Sequence, residues 1–333
     1  MANIIYSVSL SNIIIFLIVL FIIKKRQLIC SKLSLIDYPD NLRKIHKTKT
    51  PILGGVIFLI TWIYILLINF FISNQIFDFV VFAILFSIIG FMDDIFDIKP
   101  WIKLISSSIL IVIIFYYNDI YLLKKLNFET KNIEINLSDF NIFFTTLCIL
   151  LFINATNMAD GINGLSISLL LFWYLSYCLK VSDFIIFSPL FISFLLFLFY
   201  NIRSKIFLGD SGIYSLAPVL SLLIIKDYNQ QKIFFPEEIF LLFIIPGIDM
   251  FRIFLQRILN SKNPFTADNN HLHHYLTKSY NATIALLIYM SLSIAPYLIK
   301  IIFNIKSYQI ITFFIVAYIL TITLIKTKLK KLS

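Results

Sequence analysis

Three carboxylates stand close together in a strongly apolar chain. In GFMDDIFDIKPWIK, Asp93 and Asp94 are adjacent, Asp97 follows about one turn on, and Lys99 and Lys103 lie just beyond. Carboxylates this close repel one another unless a cation or lysines offset them. An oxygen-only cluster suits Mg²⁺, which keeps waters and often shares substrate phosphates, while lysines hold phosphate as point charges. An acidic helix end that merely marks a membrane interface is the plainer alternative, but Lys and Arg are the usual residues at such an edge.

Four further segments carry polar groups of the same kind. In NATNMADGINGL, Asn154, Asn157 and Asp160 recur every three residues and so fall along one side of a helix. Interhelical hydrogen bonding would account for one asparagine, though hardly for all three beside an Asp-Gly turn. FLGDSG, Phe207 to Gly212, opens a helix whose backbone N–H groups suit an oxyanion and whose Asp210 suits a metal. No Gly-Lys-Ser/Thr follows, so it is no Walker loop. From Asp249 the chain passes Arg252 and Arg257 to NPFTADNNHLHHYL, with His271, His273 and His274. Zinc would call for Cys or Glu partners or an HExxH helix, and neither is there. Beside arginines, the imidazoles fit better as donors to a diphosphate. Arg43, Lys44, His46 and Lys47 form a basic loop that either grips an anion or rests on anionic lipid. Together these groups make the inventory of metal-assisted phosphoryl transfer.

The elements that must position them are membrane helices. Of 333 residues, 59% are hydrophobic and 14% charged, against about 45–50% and about 25% in soluble domains. Eleven stretches are apolar and long enough to cross a bilayer, roughly 3–23, 53–73, 76–92, 101–118, 140–157, 162–179, 184–201, 212–226, 237–258, 282–303 and 307–325. The expected fold is therefore an all-α polytopic membrane protein, one integral-membrane domain over 1–333 with its motifs in 37–276. The first stretch has no basic leader or cleavage site and is read as a span. With the N-terminus outside, twenty of the 28 Lys and Arg residues fall on the inner side, so the orientation is N-out and C-in. The net charge of +10 then speaks for membrane orientation and not for nucleic acid. All four histidines and seven of the eight glycines, Gly247 excepted, lie in inner loops or near inner helix ends. Polar and turn-permitting residues thus gather on one face, where a carrier would place them near mid-bilayer. In the outer loop 119–139, alternation around Lys131 and Asn132 predicts a small periplasmic β-hairpin capping helix ends. Cys30, Cys148 and Cys178 are far apart and read as buried thiols.

The strings DYPDNLRKIHKTKTPILGG, GFMDDIFDIKP, NATNMADGINGL, FLGDSG and PFTADNNHLHHYL resemble, in order, the motifs of the polyprenyl-phosphate N-acetylhexosamine-1-phosphate transferase family. Within it they are most similar to the bacterial branch that initiates O-antigen, enterobacterial common antigen or teichoic acid synthesis. The resemblance implies transfer of a sugar-1-phosphate from a UDP-sugar to undecaprenyl phosphate, with UMP released and Mg²⁺ required, Mn²⁺ being a substitute. It also implies a site on the cytoplasmic face of the bacterial inner membrane and is compatible with a homodimer. By position, Asp93 and Asp94 match the family's aspartate pair, a base for the lipid phosphate or a support for the metal. Asp210 and Asn157 match metal-binding positions, and Asp160 belongs to the same polar wall, grouped with the catalytic aspartates. Lys103 matches a phosphate-binding lysine, with Asp97 and Asn154 on the substrate side. Arg257, His271, His273 and His274 match the loop that meets the diphosphate and sugar, and Arg43, Lys44 and His46 match the first-loop motif. Ile213 departs from the Ser that commonly follows GDSG, and Asn263 from the Ser of SPF.

Three rivals remain at this level. A transporter of lipid-linked sugars would show intramembrane charges and paired broken helices, and the span interiors hold few of either. An inactive scaffold would not need the intact aspartates and histidines. The nearest rival is the peptidoglycan-precursor translocase, which transfers phospho-N-acetylmuramoyl-pentapeptide.

Overall fold

The computed structural model describes residues 2–38, 49–69, 75–129, 133–181, 184–230, 235–261 and 270–332. Its elements are α1 Ala2–Lys24, α2 Arg26–Lys32, β1 Ile36–Asp37, β2 Thr50–Pro51, α3 Gly54–Asn69, α4 Gln75–Phe96, α5 Pro100–Tyr117, β3 Lys125–Phe128, β4 Ile133–Asn136, α6 Asn141–Met158, α7 Leu165–Val181, α8 Phe184–Asn201, α9 Gly209–Asn229, α10 Pro236–Leu259, α11 Leu272–Ser279, α12 Ala282–Phe303 and α13 Ser307–Leu332. The protein is a helical, multi-pass membrane protein. Among the described residues, five helices are long and apolar enough to cross a bilayer by length and composition, and α3, α7 and parts of α1 and α8 form shorter apolar helices. Helices suit this setting because they satisfy every backbone group internally.

Element boundaries depart from hydropathy at the places that matter for chemistry. The third apolar stretch was expected to stop at 92, but α4 runs to Phe96 and carries Asp93 and Asp94 on its last turns. Likewise α9 begins at Gly209, so the GDSG turn is the helix's first turn. Hydropathy marks where apolar side chains end, whereas backbone hydrogen bonding continues until a cap stops it. Asp97 is that stop for α4: it is left-handed (φ 50°), and its N–H reaches back to the Asp93 carbonyl at 2.8 Å. Two helices not foreseen from hydropathy, α2 and α11, lie in expected inner loops.

The chain divides into two compact units, Met1–Leu110 with Tyr174–Leu223, and Ile111–Trp173 with Ile224–Ser333. In the first, α3 packs on α1, α4 and α8. Phe58 lies against Phe194 and Phe197, with ring centroids 5.1 and 5.5 Å away. The buried polar groups there are paired: Thr61 meets Ser193 at 2.7 Å, and the Trp62 indole donates to the Ser215 carbonyl at 3.0 Å. Such pairing matters where no water can serve as partner. In the second unit, α10 packs on α6, α12 and α13. Phe152, Trp173 and Phe243 form its aromatic centre, with centroids 4.6–4.8 Å apart.

The expected hairpin is β3 paired antiparallel with β4, Lys125 opposite Asn136 and Phe128 opposite Ile133. It is tied to helix ends. The Tyr228 hydroxyl accepts from the Asn127 N–H at 2.8 Å, and Glu129 binds the Lys300 ammonium at 2.6 and 2.8 Å. All three cysteines are free thiols; Cys30 and Cys178 are buried and Cys148 is half-buried.

Candidate active site

In the first unit, four of the expected site residues meet. The three residues 97–99 turn α4 into α5, where Pro100 fits the first helical position, which needs no N–H donor. This brings Lys103 back against Asp93, with Nζ donating to Asp93 Oδ2 at 2.9 Å and to Asp210 Oδ2 at 2.7 Å. The three side chains are only 14–16% exposed, so this charge pairing is less screened than a surface bridge. Asp94 points elsewhere. Its Oδ1 accepts from the Asp210 N–H at 2.8 Å and its Oδ2 from the Ser211 N–H at 3.0 Å. Both oxygens cap the N-terminus of α9, where unpaired N–H groups and the helix dipole favour a carboxylate. Asp94 therefore holds Asp210 in place, while Asp93 keeps one oxygen uncommitted: Oδ1 is buried with no hydrogen-bond partner.

Close backbone approach makes this possible. Gly209 is left-handed (φ +68°), and a Cβ there would run into Ile52 and the Asp94 carboxylate. A Cβ on Gly90 would lie 2.5 Å from Ser211 Cα and 2.6 Å from the Asp210 carbonyl oxygen. Only glycine lets α4 come this near to the start of α9. The segments leading into α3 and α9 are also joined, the Leu53 N–H donating to the Phe207 carbonyl at 3.0 Å and the Phe207 N–H to the Pro51 carbonyl at 2.8 Å. Antiparallel β1 and β2 then pair Ile36 with Pro51 and Asp37 with Thr50, closing the base of the first basic loop. Arg43, Lys44 and His46 themselves lie outside the described residues. Asp97 is exposed at the α4–α5 turn.

The second unit holds the histidines. Asp249 of α10 is 3% exposed, and its carboxylate organises the start of α11. Oδ2 bonds His271 Nδ1 at 2.9 Å, and both oxygens accept from the Leu272 N–H at 3.1 Å. Oδ1 also accepts from Arg252 Nη2 at 2.8 Å and from the Tyr318 hydroxyl at 2.6 Å. Arg252 completes the ring by donating Nε–H to Tyr318 at 2.7 Å and Nη2–H to the Asn270 carbonyl at 2.6 Å. His273 stacks parallel to His271 with centroids 5.6 Å apart, and lies 4.1 Å from His274. It is buried with Nε2 unpaired, and burial, with its histidine neighbours, pushes its pKa down to about 3, so the ring is neutral.

The NATNMADGING segment belongs to this same unit. A Cβ on Gly161 would land on the His273 ring, so the turn after α6 and the start of α11 are in contact. Asp160 is exposed on that turn and Asn157 is half-buried at the end of α6. Asn154 instead donates Nδ2–H to the Leu150 carbonyl one turn back, at 2.8 Å. Arg257 is buried in the last turn of α10. Two participants escaped the sequence reading. Asp249 opened a motif there without a role, although a carboxylate with Arg252 three residues on is a legible helical pair. Tyr318 is one of 17 tyrosines in an apolar stretch and gives no local signal.

The resemblance implies a magnesium ion, and the residues fit one. Among the described residues, no group of three or more His, Cys, Asp or Glu side chains could enclose a metal. Mg²⁺ rarely needs such a cage, because it is held by one or two carboxylates, waters and substrate phosphates. Asp93, with its bare buried oxygen, and Asp210 supply that donor chemistry.

Residues 76–227, from the start of α4 almost to the end of α9, match the family model described as glycosyl transferase family 4. Over that stretch the chain is similar to glycosyl transferase family 4. The matched stretch includes Asp93, Asp94, Lys103, Asn154, Asn157, Asp160 and Asp210 and ends before the histidines. Among named relatives, the undecaprenyl-phosphate alpha-N-acetylglucosaminyl 1-phosphate transferase of Thermotoga maritima is 28% identical over 267 residues, covering 79% of this chain and 80% of the relative. The protein of the same name from Escherichia coli O157:H7 is 25% identical over 290 residues, 82% of this chain and 77% of the relative. The phospho-N-acetylmuramoyl-pentapeptide-transferase of Petrotoga mobilis is 28% identical over 272 residues, 75% of this chain and 82% of the relative.

Proposed function

We propose that this protein transfers a sugar-1-phosphate, GlcNAc-1-phosphate or a related N-acetylhexosamine-1-phosphate, from a UDP-sugar to undecaprenyl phosphate, releasing UMP and starting a lipid-linked envelope glycan. The observation that carries the reading is the Asp93–Lys103–Asp210 arrangement with its bare carboxylate oxygen, in a chain whose relatives bear that activity in their names. The protein works in the bacterial inner membrane with eleven spans, N-terminus outside, and its charged groups at the cytoplasmic face. The bias of Lys and Arg supports that orientation.

A lipid phosphate oxygen attacks the β-phosphorus of the donor, and the bond from that phosphorus to the bridging oxygen breaks. UMP leaves with the bridging oxygen. The acceptor monoester has a second pKa of about 6 and is largely ionised near neutrality, so an aspartate has little proton to remove. Asp93 and Asp210 act by holding charge, and Lys103 pairs with the phosphate oxygens as charge builds in the transition state. Mg²⁺ held by Asp93 and Asp210, or Mn²⁺ in its place, would supply Lewis-acid neutralisation of the diphosphate. In the second unit, His271 on Asp249 and the neutral His273 offer ring nitrogens for hydrogen bonding to an anionic ligand, and Arg257 of the same unit is a permanent cation.

The test is UMP release from UDP-GlcNAc and undecaprenyl phosphate by protein in detergent, with the lipid product identified by mass. Asp210→Asn is expected to lower turnover about 10²-fold or more, and EDTA to abolish it until Mg²⁺ is restored. Turnover only with UDP-N-acetylmuramoyl-pentapeptide would make the protein a peptidoglycan-precursor transferase, the activity named for the Petrotoga relative. Activity indifferent to chelation would remove the metal from the reading.

A further inference from the structure

Holding a short helix start requires little. One carboxylate oxygen on the Leu272 N–H would cap α11. Asp249 does more, because it also fixes the Nδ1 side of His271 while Arg252 and Tyr318 fix Asp249 itself. The hydrogen-bonded chain therefore runs from α13 through α10 to the imidazole of His271, the residue just before α11. A carboxylate on one ring nitrogen sets both the tautomer and the plane of the ring and leaves the other nitrogen for a ligand, as an acceptor in the neutral ring and a donor when the ring is doubly protonated. Tyr318 is suited to its place because its hydroxyl accepts from Arg252 and donates to Asp249 at once.

We propose that Asp249 and Tyr318 are positioning residues for His271, holding Nδ1–H on the carboxylate so that the ring, doubly protonated beside the anionic donor, presents Nε2–H to its diphosphate. The inference rests on the transferase reading above. It extends the functional machinery to α13, which lies outside both the matched stretch 76–227 and the motif region. The rival account is that the buried network only holds α10, α11 and α13 together.

The test uses the full chain in detergent with UDP-GlcNAc and undecaprenyl phosphate. Tyr318→Phe keeps the ring and removes only the hydroxyl, and Asp249→Asn removes the charge. We expect kcat to fall about tenfold in the first and about 100-fold in the second, with KM for the donor within about twofold. In a His271→Ala background, Tyr318→Phe should change kcat by less than about twofold, since its effect passes through that ring. Wild-type kcat in both single variants, or an equal loss from Tyr318→Phe with and without His271, would overturn the proposal. If Asp249→Asn does not fold, the Tyr318→Phe pair decides alone. A readout independent of turnover is the ¹⁵N spectrum of labelled histidine. His271 should be protonated at Nδ1 in the wild type and lose that fixed tautomer in Asp249→Asn; a tautomer unchanged there would equally overturn the proposal. Wild-type protein that releases no UMP from any UDP-sugar would sink the transferase reading instead, and the ¹⁵N result would still judge the positioning.

Discussion

Asp93 and Asp94 are neighbours with opposite assignments, and substituting each by Asn separates them. Asp94 accepts from the Asp210 and Ser211 N–H groups at 2.8 and 3.0 Å. An Asn there keeps one oxygen acceptor but turns an NH₂ toward the second N–H. One charge-assisted bond is lost, worth about 1.5–3 kcal/mol, together with about 0.3–1 kcal/mol of charge–dipole attraction. The first turn of α9 should therefore be weakened by about 2–4 kcal/mol. That turn carries Asp210, so its loosening also moves the carboxylate proposed to hold charge at the site, and a shift of about 1 Å costs about 10²-fold in rate. Asp93→Asn disturbs no helix cap and leaves Lys103 its bond to Asp210 at 2.7 Å. We expect Asp94→Asn to lose turnover and several degrees of thermal midpoint together, and Asp93→Asn to lose turnover with its midpoint nearly unchanged. The assay pairs UMP release with thermal unfolding of the same detergent-purified samples. An Asp94→Asn protein that unfolds at the wild-type temperature would refute the capping role, whatever its turnover.

Two further outcomes follow from the second unit. His273 is held neutral with a pKa near 3, against 6.5 for an exposed histidine, so between those values the unfolded chain binds the extra proton. Its stability contribution is complete above about pH 6.5 and declines as pH falls, by up to about 1.4 kcal/mol per unit. Unfolding midpoints taken from pH 7.5 down to 4.5 should show this loss, and His273→Phe should flatten it; an identical slope in both proteins would count against a buried neutral ring. Gly161→Ala would push a methyl onto the His273 ring, an overpacking of about 1–3 kcal/mol. It should lower kcat as well as the midpoint, and wild-type kinetics would mean that the two segments do not touch.

The positions that meet in the candidate site were legible because polar residues are rare in this chain and costly in a bilayer. Asp93, Lys103 and Asp210 came from such scarcity, and the hairpin from plain alternation around residues 131–132. What could not be read was which carboxylate does what. Adjacent aspartates on a helix point in different directions, and only the partner's position tells them apart. The cap made by Asp94 spans 116 positions in sequence, and the Tyr318 bond to Asp249 spans 69. No local pattern encodes either. The glycines come nearest to doing so. Gly90 and Gly209 were visible as turn-permitting residues near inner helix ends, yet their use is steric, since Gly90 leaves room for the backbone of Asp210 and Ser211 and Gly209 for the Asp94 carboxylate and the Ile52 side chain. A carboxylate can cap a neighbouring helix only if the two backbones come this close, so a glycine one turn before an aspartate pair and another opening the capped helix together announce the contact. In a membrane helix, then, such a glycine indicates which of two aspartates supports structure: it is the one aimed at the backbone that the missing Cβ admits.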